Sequence, residues 1–174
     1  SDLDPETETS LKDVVIRWWM GTMVSSPLNI TERMVYFFHT HFTTISSRIR
    51  HSDALYHQLE LFRYYATGNF KTLAKKICYD NAMLLHLDGF LNQKGRPNEN
   101  FAREFFELYT IGKGPQVSDN NYTRFTETDV VEAARVLTGF NYDKDFQYFD
   151  EETGIPMGNL VSNSGDLALL HDTE

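Results

Sequence analysis

Two short stretches hold most of the side chains with the right types for chemistry. In "NENFARE", residues 98–104, Glu99 and Glu104 are carboxylates that can serve as general base or ligand. Arg103 beside them can hold an anionic group, and Asn100 is a weak helix former at a position that needs no cap. In "HTH", His39 and His41 are imidazoles that change charge near neutral pH. On a helix, side chains two residues apart point about 200° apart, so these histidines cannot share one metal ion. Zinc-binding pairs on helices use a spacing of four.

Helical periodicity places both stretches. With Met34 as origin, Phe37, Phe38, Phe42, Ile45 and Val35 form one apolar arc; His41 falls inside it and His39 at its edge with Glu32. A histidine on such a face is either a satisfied core residue or an acid–base group tuned by its pocket. Residues 98–111 read as one amphipathic helix. Phe101, Ala102, Phe105, Phe106, Leu108 and Tyr109 line its back; Glu99, Asn100, Arg103, Glu104 and Glu107 line its front. Asn98 reads as its N-cap, with Gly112 and Gly114 as the stop. Glu99→Arg103→Glu107 is a ladder of i,i+4 pairs. The front is either a solvated face or a functional one. Helix grammar leaves Asn100 and the like-charged pair Glu104/Glu107 unexplained.

The remaining elements follow from punctuation. Ser10 opens a first helix, Asn29 or Thr31 a second running to about Thr44, and Ser52-Asp53 a third closed by Gly68. Asn69 and Asp80 open two more, the latter closed by Gly89. Thr126-x-x-Asp129 is a capping-box-like start for a last helix, closed by Gly139. Residues 115–125 read as a loop. After Phe140, "DFQYFDEETGIPMGNLV" shows aromatic alternation around Thr-Gly, the pattern of a β-hairpin. Asp88, unfavourable near a helix end, calls for a partner such as Arg63 or Arg96. The expected architecture is all-α: a compact domain of about seven helices over 10–140, a flexible acidic segment over 1–9, and an irregular or hairpin extension over 141–174.

Composition sets limits. The formal charge of −9 resides at the ends, because residues 11–140 hold 13 acids against 15 bases. No basic cluster is dense enough for nucleic acid, and no apolar run reaches membrane-span length. Cys78, the single cysteine, excludes an intramolecular disulfide. "DNNYTRFTETD" lacks the glycine and terminal glutamate of an EF-hand. Nothing specifies a cofactor or a metal.

"ERMVYFFHTHF", "LELFRYYATGNFKTLAKKICYDNAMLLHLDG", "NENFAREFFELYTIG", "YTRFTETDVVEAARVLTGF" and the late "HD" at His171-Asp172 occur in this order. Together they resemble a bacterial family catalogued as domain of unknown function eighteen hundred. The resemblance covers mainly residues 28–140. It implies a largely helical protein, export to the periplasm or cell surface, and membership of a longer parent chain. It supplies no reaction. The family pattern includes Glu32-Arg33, His39, His41, Arg63, Asp88, Asn98-Glu99-Asn100, Arg103-Glu104, Asp129 and Arg135. Phe38 and Asn81 stand where Trp and Pro are common.

Two readings follow. One is an exported or cell-envelope module for binding or assembly, its polar residues forming an inter-helix network. Its partners would be carbohydrate, a cell-surface protein or the rest of the parent chain. The other is an exported hydrolase, metal-assisted or not, acting on a polar polymer such as polysaccharide. There Glu99 or Glu104 is base or ligand, a histidine is acid or base, and Asn100 and Arg103 complete a pocket. The absence of a complete catalytic set favours the first.

Overall fold

The computed structural model describes residues 3–160. Among these, seven α-helices dominate: α1 (Pro5–Ser25), α2 (Thr31–His41), α3 (Ser52–Tyr64), α4 (Phe70–Ile77), α5 (Asn81–His86), α6 (Asn100–Glu104) and α7 (Glu127–Val136). Two antiparallel pairs of very short strands follow α6: β1 (Gln116–Ser118) with β2 (Asn121–Tyr122), and β3 (Phe140–Asn141) with β4 (Asn159–Leu160). The domain is mainly helical, as the periodicity requires. The β1–β2 pair lies where the sequence reads as loop.

Helix α1 begins earlier than Ser10. Asp4 is its N-cap, accepting from the Glu6 and Thr7 amides at 3.1 and 3.0 Å, and Pro5 occupies the first helical position. Residues 5–9 are therefore the first turns of a helix rather than part of a flexible tail. Glu6 and Glu8 lie in that first turn, where the helix dipole favours carboxylates. Glu8 is also buried: its Oε2 accepts from the Ser52 amide at 2.9 Å. That bond docks α1 onto the start of α3, which has no side-chain cap of its own.

The main core lies between α2 and α3. Phe38, Phe42 and Phe62 form its centre, with Leu73 and Ile77 of α4, Met83 and Leu84 of α5, and Trp19 of α1 around them. Burial of such side chains contributes roughly 1.5–3 kcal/mol each. A second cluster joins Ile49 and Leu55 to Ala82 and Leu85. A third joins Ala102 of α6 to Phe125, Val130 and Ala134 around α7. Helix α7 opens with a full capping box, Asp129 accepting from the Thr126 amide at 2.7 Å and Thr126 accepting from the Asp129 amide at 3.2 Å.

Helix α2 stops at His41, short of Thr44. The α5 segment ends in a left-handed residue, but that residue is Asp88 (φ 57°), not Gly89. Gly89 serves packing: a β-carbon there would come within 2.8 Å of Leu84 and Phe101 side-chain atoms.

The helix expected over 98–111 is interrupted. After α6 the chain continues as a π turn, Phe105–Tyr109. In a π turn each residue advances less about the axis than the 100° of an α-helix, so the helical wheel loses register. Glu107 accordingly pairs with Lys113 at 3.2 Å instead of continuing the ladder from Arg103. The segment ends as expected at Gly112 (φ 72°), whose amide reaches back to the Phe106 carbonyl at 2.8 Å.

The late hairpin is present in reduced form. A bridge joins Phe149 to Pro156 across a turn containing Gly154 (φ 68°), and Lys76 of α4 ion-pairs with Asp150 inside it. This turn delivers Met157, 1% exposed, into the main core. His171-Asp172 and the end of the extension lie outside the described residues.

Candidate functional site

The polar side chains singled out by sequence lie in several separate places. Helix α2 carries the histidines on different sides. His39 meets α1, its ring edge-on to Trp19 at 4.9 Å, and its Nδ1 is buried without a hydrogen-bond partner. Desolvation there holds the imidazole below its ordinary range, so it is neutral at pH 7. His41 points the other way. Its Nε2 lies 2.8 Å from the Tyr109 carbonyl. A carbonyl only accepts, so Nε2 carries the hydrogen. Phe37 stacks on the ring at 6.0 Å, and Phe42, Phe70 and Tyr109 surround it edge-on. Tyr109 ends the π turn, where carbonyls lack partners within the helix; His41 satisfies one of them.

The "NEN" residues also serve a helix end, but another one. Asn98 Nδ2 donates to the Asp88 carbonyl at 3.3 Å and Asn100 Nδ2 to the Leu87 carbonyl at 3.0 Å. The Leu87 carbonyl is freed at the end of α5; the Asp88 carbonyl, one residue on, also accepts from the Leu91 amide at 3.0 Å. The Asn98 Oδ1 accepts from the Asn100 amide at 3.0 Å. Asn100 therefore has a task that helix grammar within its own segment does not reveal. Asp88 contributes its carbonyl, and the expected partner Arg63 is engaged elsewhere.

Arg63 joins α3 to α2. It donates to Glu32 from Nε at 2.7 Å and from Nη2 at 3.0 Å, and it also pairs with Glu60. The pair is bidentate and mostly buried, and the guanidinium lies 5.3 Å from the Trp18 ring centroid. Arg103 joins α6 to α7, donating to Glu99 at 3.1 Å and to Glu127 at 2.7 Å. The first of these was legible as an i,i+4 pair; the second required the tertiary fold. Glu104 is half-buried and, among the described residues, has no hydrogen bond or ion pair. Its charge adds to burial in pushing the Tyr109 phenol up, which places the carboxylate near that side chain.

Glu99 and Asn98 line an open cavity of about 640 Å³ together with Leu91, Gln93, Arg96 and Pro97. Neither histidine nor Glu104 lines it. Of His39, His41, Glu99, Asn100, Arg103 and Glu104, only Glu99 lines that cavity, and no histidine pairs with a carboxylate among the described residues. Also among the described residues, no three His, Cys, Asp or Glu side chains converge as a metal site would require. Cys78 is no nucleophile at neutral pH, since burial pushes its thiol up to about 12.

A sequence profile for proteins of unknown function, DUF1800, matches residues 3–172. The chain belongs to the DUF1800 family. No curated protein and no solved structure matches it. The DUF1800 match extends beyond the 28–140 segment that the motifs mark, taking in α1 and the late turn.

Sequence reading passed over two buried residues of this DUF1800 chain that act in the same manner. Asn92, 1% exposed, donates to the Ala134 carbonyl at the end of α7 (2.7 Å) and accepts from the Asn98 amide (3.1 Å). Gln58 donates to the Asp80 carboxylate at 2.7 Å and accepts from Thr44 Oγ1 at 3.0 Å. Gln58 had a signal, lying three residues after Leu55 and four before Phe62 on an apolar face. Asn92 had none, sitting in a stretch that reads as polar loop.

Proposed function

We propose that this DUF1800 domain is a binding or assembly module of the cell envelope, in which the family's polar residues fix helix arrangement rather than perform a reaction. One observation carries the reading: these side chains are already engaged in joining elements. His41, Asn98 and Asn100 bind carbonyls at helix ends of other segments, while Arg63 and Arg103 each join two helices. A group engaged in this way resists reorientation toward a substrate. The partner class is carbohydrate, a cell-surface protein or the remainder of a longer chain. Export comes with the family resemblance.

The test uses the natural protein in its source organism. Fractionation places it in the envelope or outside the cell, and Asn100→Ala, Arg103→Met and His41→Ala each lower its melting temperature. A cytosolic location overturns the export reading. An unchanged melting temperature in all three variants overturns the architectural one.

Glu104 favours the second reading, an exported hydrolase of polar polymers, because it is half-buried and unengaged. A hydrolase screen with metal analysis on the full-length protein decides between them. An activity abolished by Glu104→Gln without loss of folding establishes the hydrolase.

A further inference from the structure

A cavity of about 440 Å³ lies between the first turns of α1, the segment before α3, and Tyr142. Its volume falls within the range of small-ligand sites, roughly 300–1,000 Å³. Lys12 and Arg50 line it, with Glu8 as the one carboxylate in the lining. Glu8 is buried and accepts from the Ser52 amide, pairing with neither cation, so the lining still holds two basic side chains against one acidic one. Among the described residues neither Lys12 nor Arg50 has an ion pair; the Arg50 guanidinium sits over the Phe90 ring at 6.0 Å. A chain of formal charge −9 thus presents, among its described residues, two cations without an ion pair in one concave place. The wall beside them is partly apolar. Ile49 is fully buried beneath, and the His51 ring lies 6.2 Å from Tyr142 and 6.2 Å from Phe146.

We propose that this cavity binds a small ring-bearing organic anion, its carboxylate or phosphate held by Lys12 and Arg50 and its ring laid against Tyr142. Guanidinium and ammonium groups recognise either head, Arg through its planar fork and Lys as a point charge. Tyrosine offers an amphipathic face to a ring. The inference uses none of the bonds behind the architectural reading. It stands or falls by ligand binding, whereas that reading stands or falls by stability.

Titration of the ¹⁵N-labelled protein at low ionic strength with glucuronate, glucose 6-phosphate and glucose tests it. The expected result is saturable shifts at the Lys12, Arg50 and His51 amides with one or both anionic sugars and none with glucose. The two anionic arms identify the head group. In Lys12→Gln/Arg50→Gln, binding weakens at least about tenfold while amide positions elsewhere are retained, as loss of two charge-assisted contacts requires. Should that variant not fold, about 0.5 M sodium chloride applied to the natural protein must weaken binding by a similar factor, since a rim-exposed ion contact is screened. No saturable shift up to about 50 mM ligand (roughly the millimolar range of minimal contacts) overturns the proposal. So do equal shifts with glucose, and binding unaffected by both the double substitution and salt.

Discussion

At the scale of single residues, Asp80 is the most consequential buried group. It is 1% exposed and accepts from Gln58 Nε2 at 2.7 Å and from the Met83 amide at 2.9 Å, capping α5. Burial outweighs these bonds and pushes its acid from 3.8 up to about 7. The folded chain therefore holds this proton more tightly than the unfolded chain. Its stabilising contribution is full below 3.8 and is lost as pH rises through about 7. The melting temperature measured from acidic to neutral pH should fall, and the fall should be shallower in Asp80→Asn; identical slopes would refute the assignment. Glu104 gives the opposite case. It makes no bond among the described residues, so Glu104→Gln should change stability by no more than about 0.5 kcal/mol in urea denaturation. Arg63 bonds Glu32 bidentately in a mostly buried pair, and Arg63→Met strands that carboxylate. A loss of about 3 kcal/mol is expected, with a loss under about 1 counting against it. The sequence marked Arg63, Glu99 and Arg103 as polar, but only Glu99–Arg103 had a readable partner, because local spacing encodes local pairs alone.

At the scale of elements, one rule recurs: a helix end is completed by a side chain from somewhere else. The Leu87 carbonyl at the end of α5 takes Asn100, the π turn takes His41, α7 takes Asn92, and α3 takes Glu8. Helix ends leave backbone groups without partners, and burying them unpaired costs about 1–3 kcal/mol each. Asn100→Ala should therefore lose about 1–2 kcal/mol, with faster hydrogen exchange concentrated in α5. Exchange that rises uniformly across the domain would show the bond is not local to that end. The expected 98–111 helix illustrates what periodicity hides. Its apolar back holds at Phe101, Ala102, Phe105, Phe106 and Tyr109, yet the π turn Phe105–Tyr109 changes the angular step, so Leu108 is exposed and the Arg103–Glu107 rung fails. Capping residues identify starts well, as Asn69, Asp80 and Thr126 show. They do not announce a change of helix type midway.

At the scale of the whole molecule, α1 is the longest helix yet buries few of its side chains. Trp19 and Glu8 are its buried side chains, while Val14, Met20 and Val24 remain exposed. Glu8→Ala removes the acceptor for the Ser52 amide and should raise hydrogen exchange at Ser52 and along the first half of α1, leaving α2–α3 protected. Protection unchanged at Ser52 would show that α1 is held without this bond. Hydrophobic periodicity and cap residues alone determined that the chain is helical, where most helices start, and that Phe38, Phe42 and Phe62 face inward. They did so because those signals act within a few residues along the chain. Only the tertiary structure decided that the two histidines serve different neighbours, that Asn100 completes α5, and that Arg103 reaches Glu127. Each of these depends on which helix end lies beside which side chain. That proximity is fixed by packing between segments distant in sequence, and no local pattern carries it.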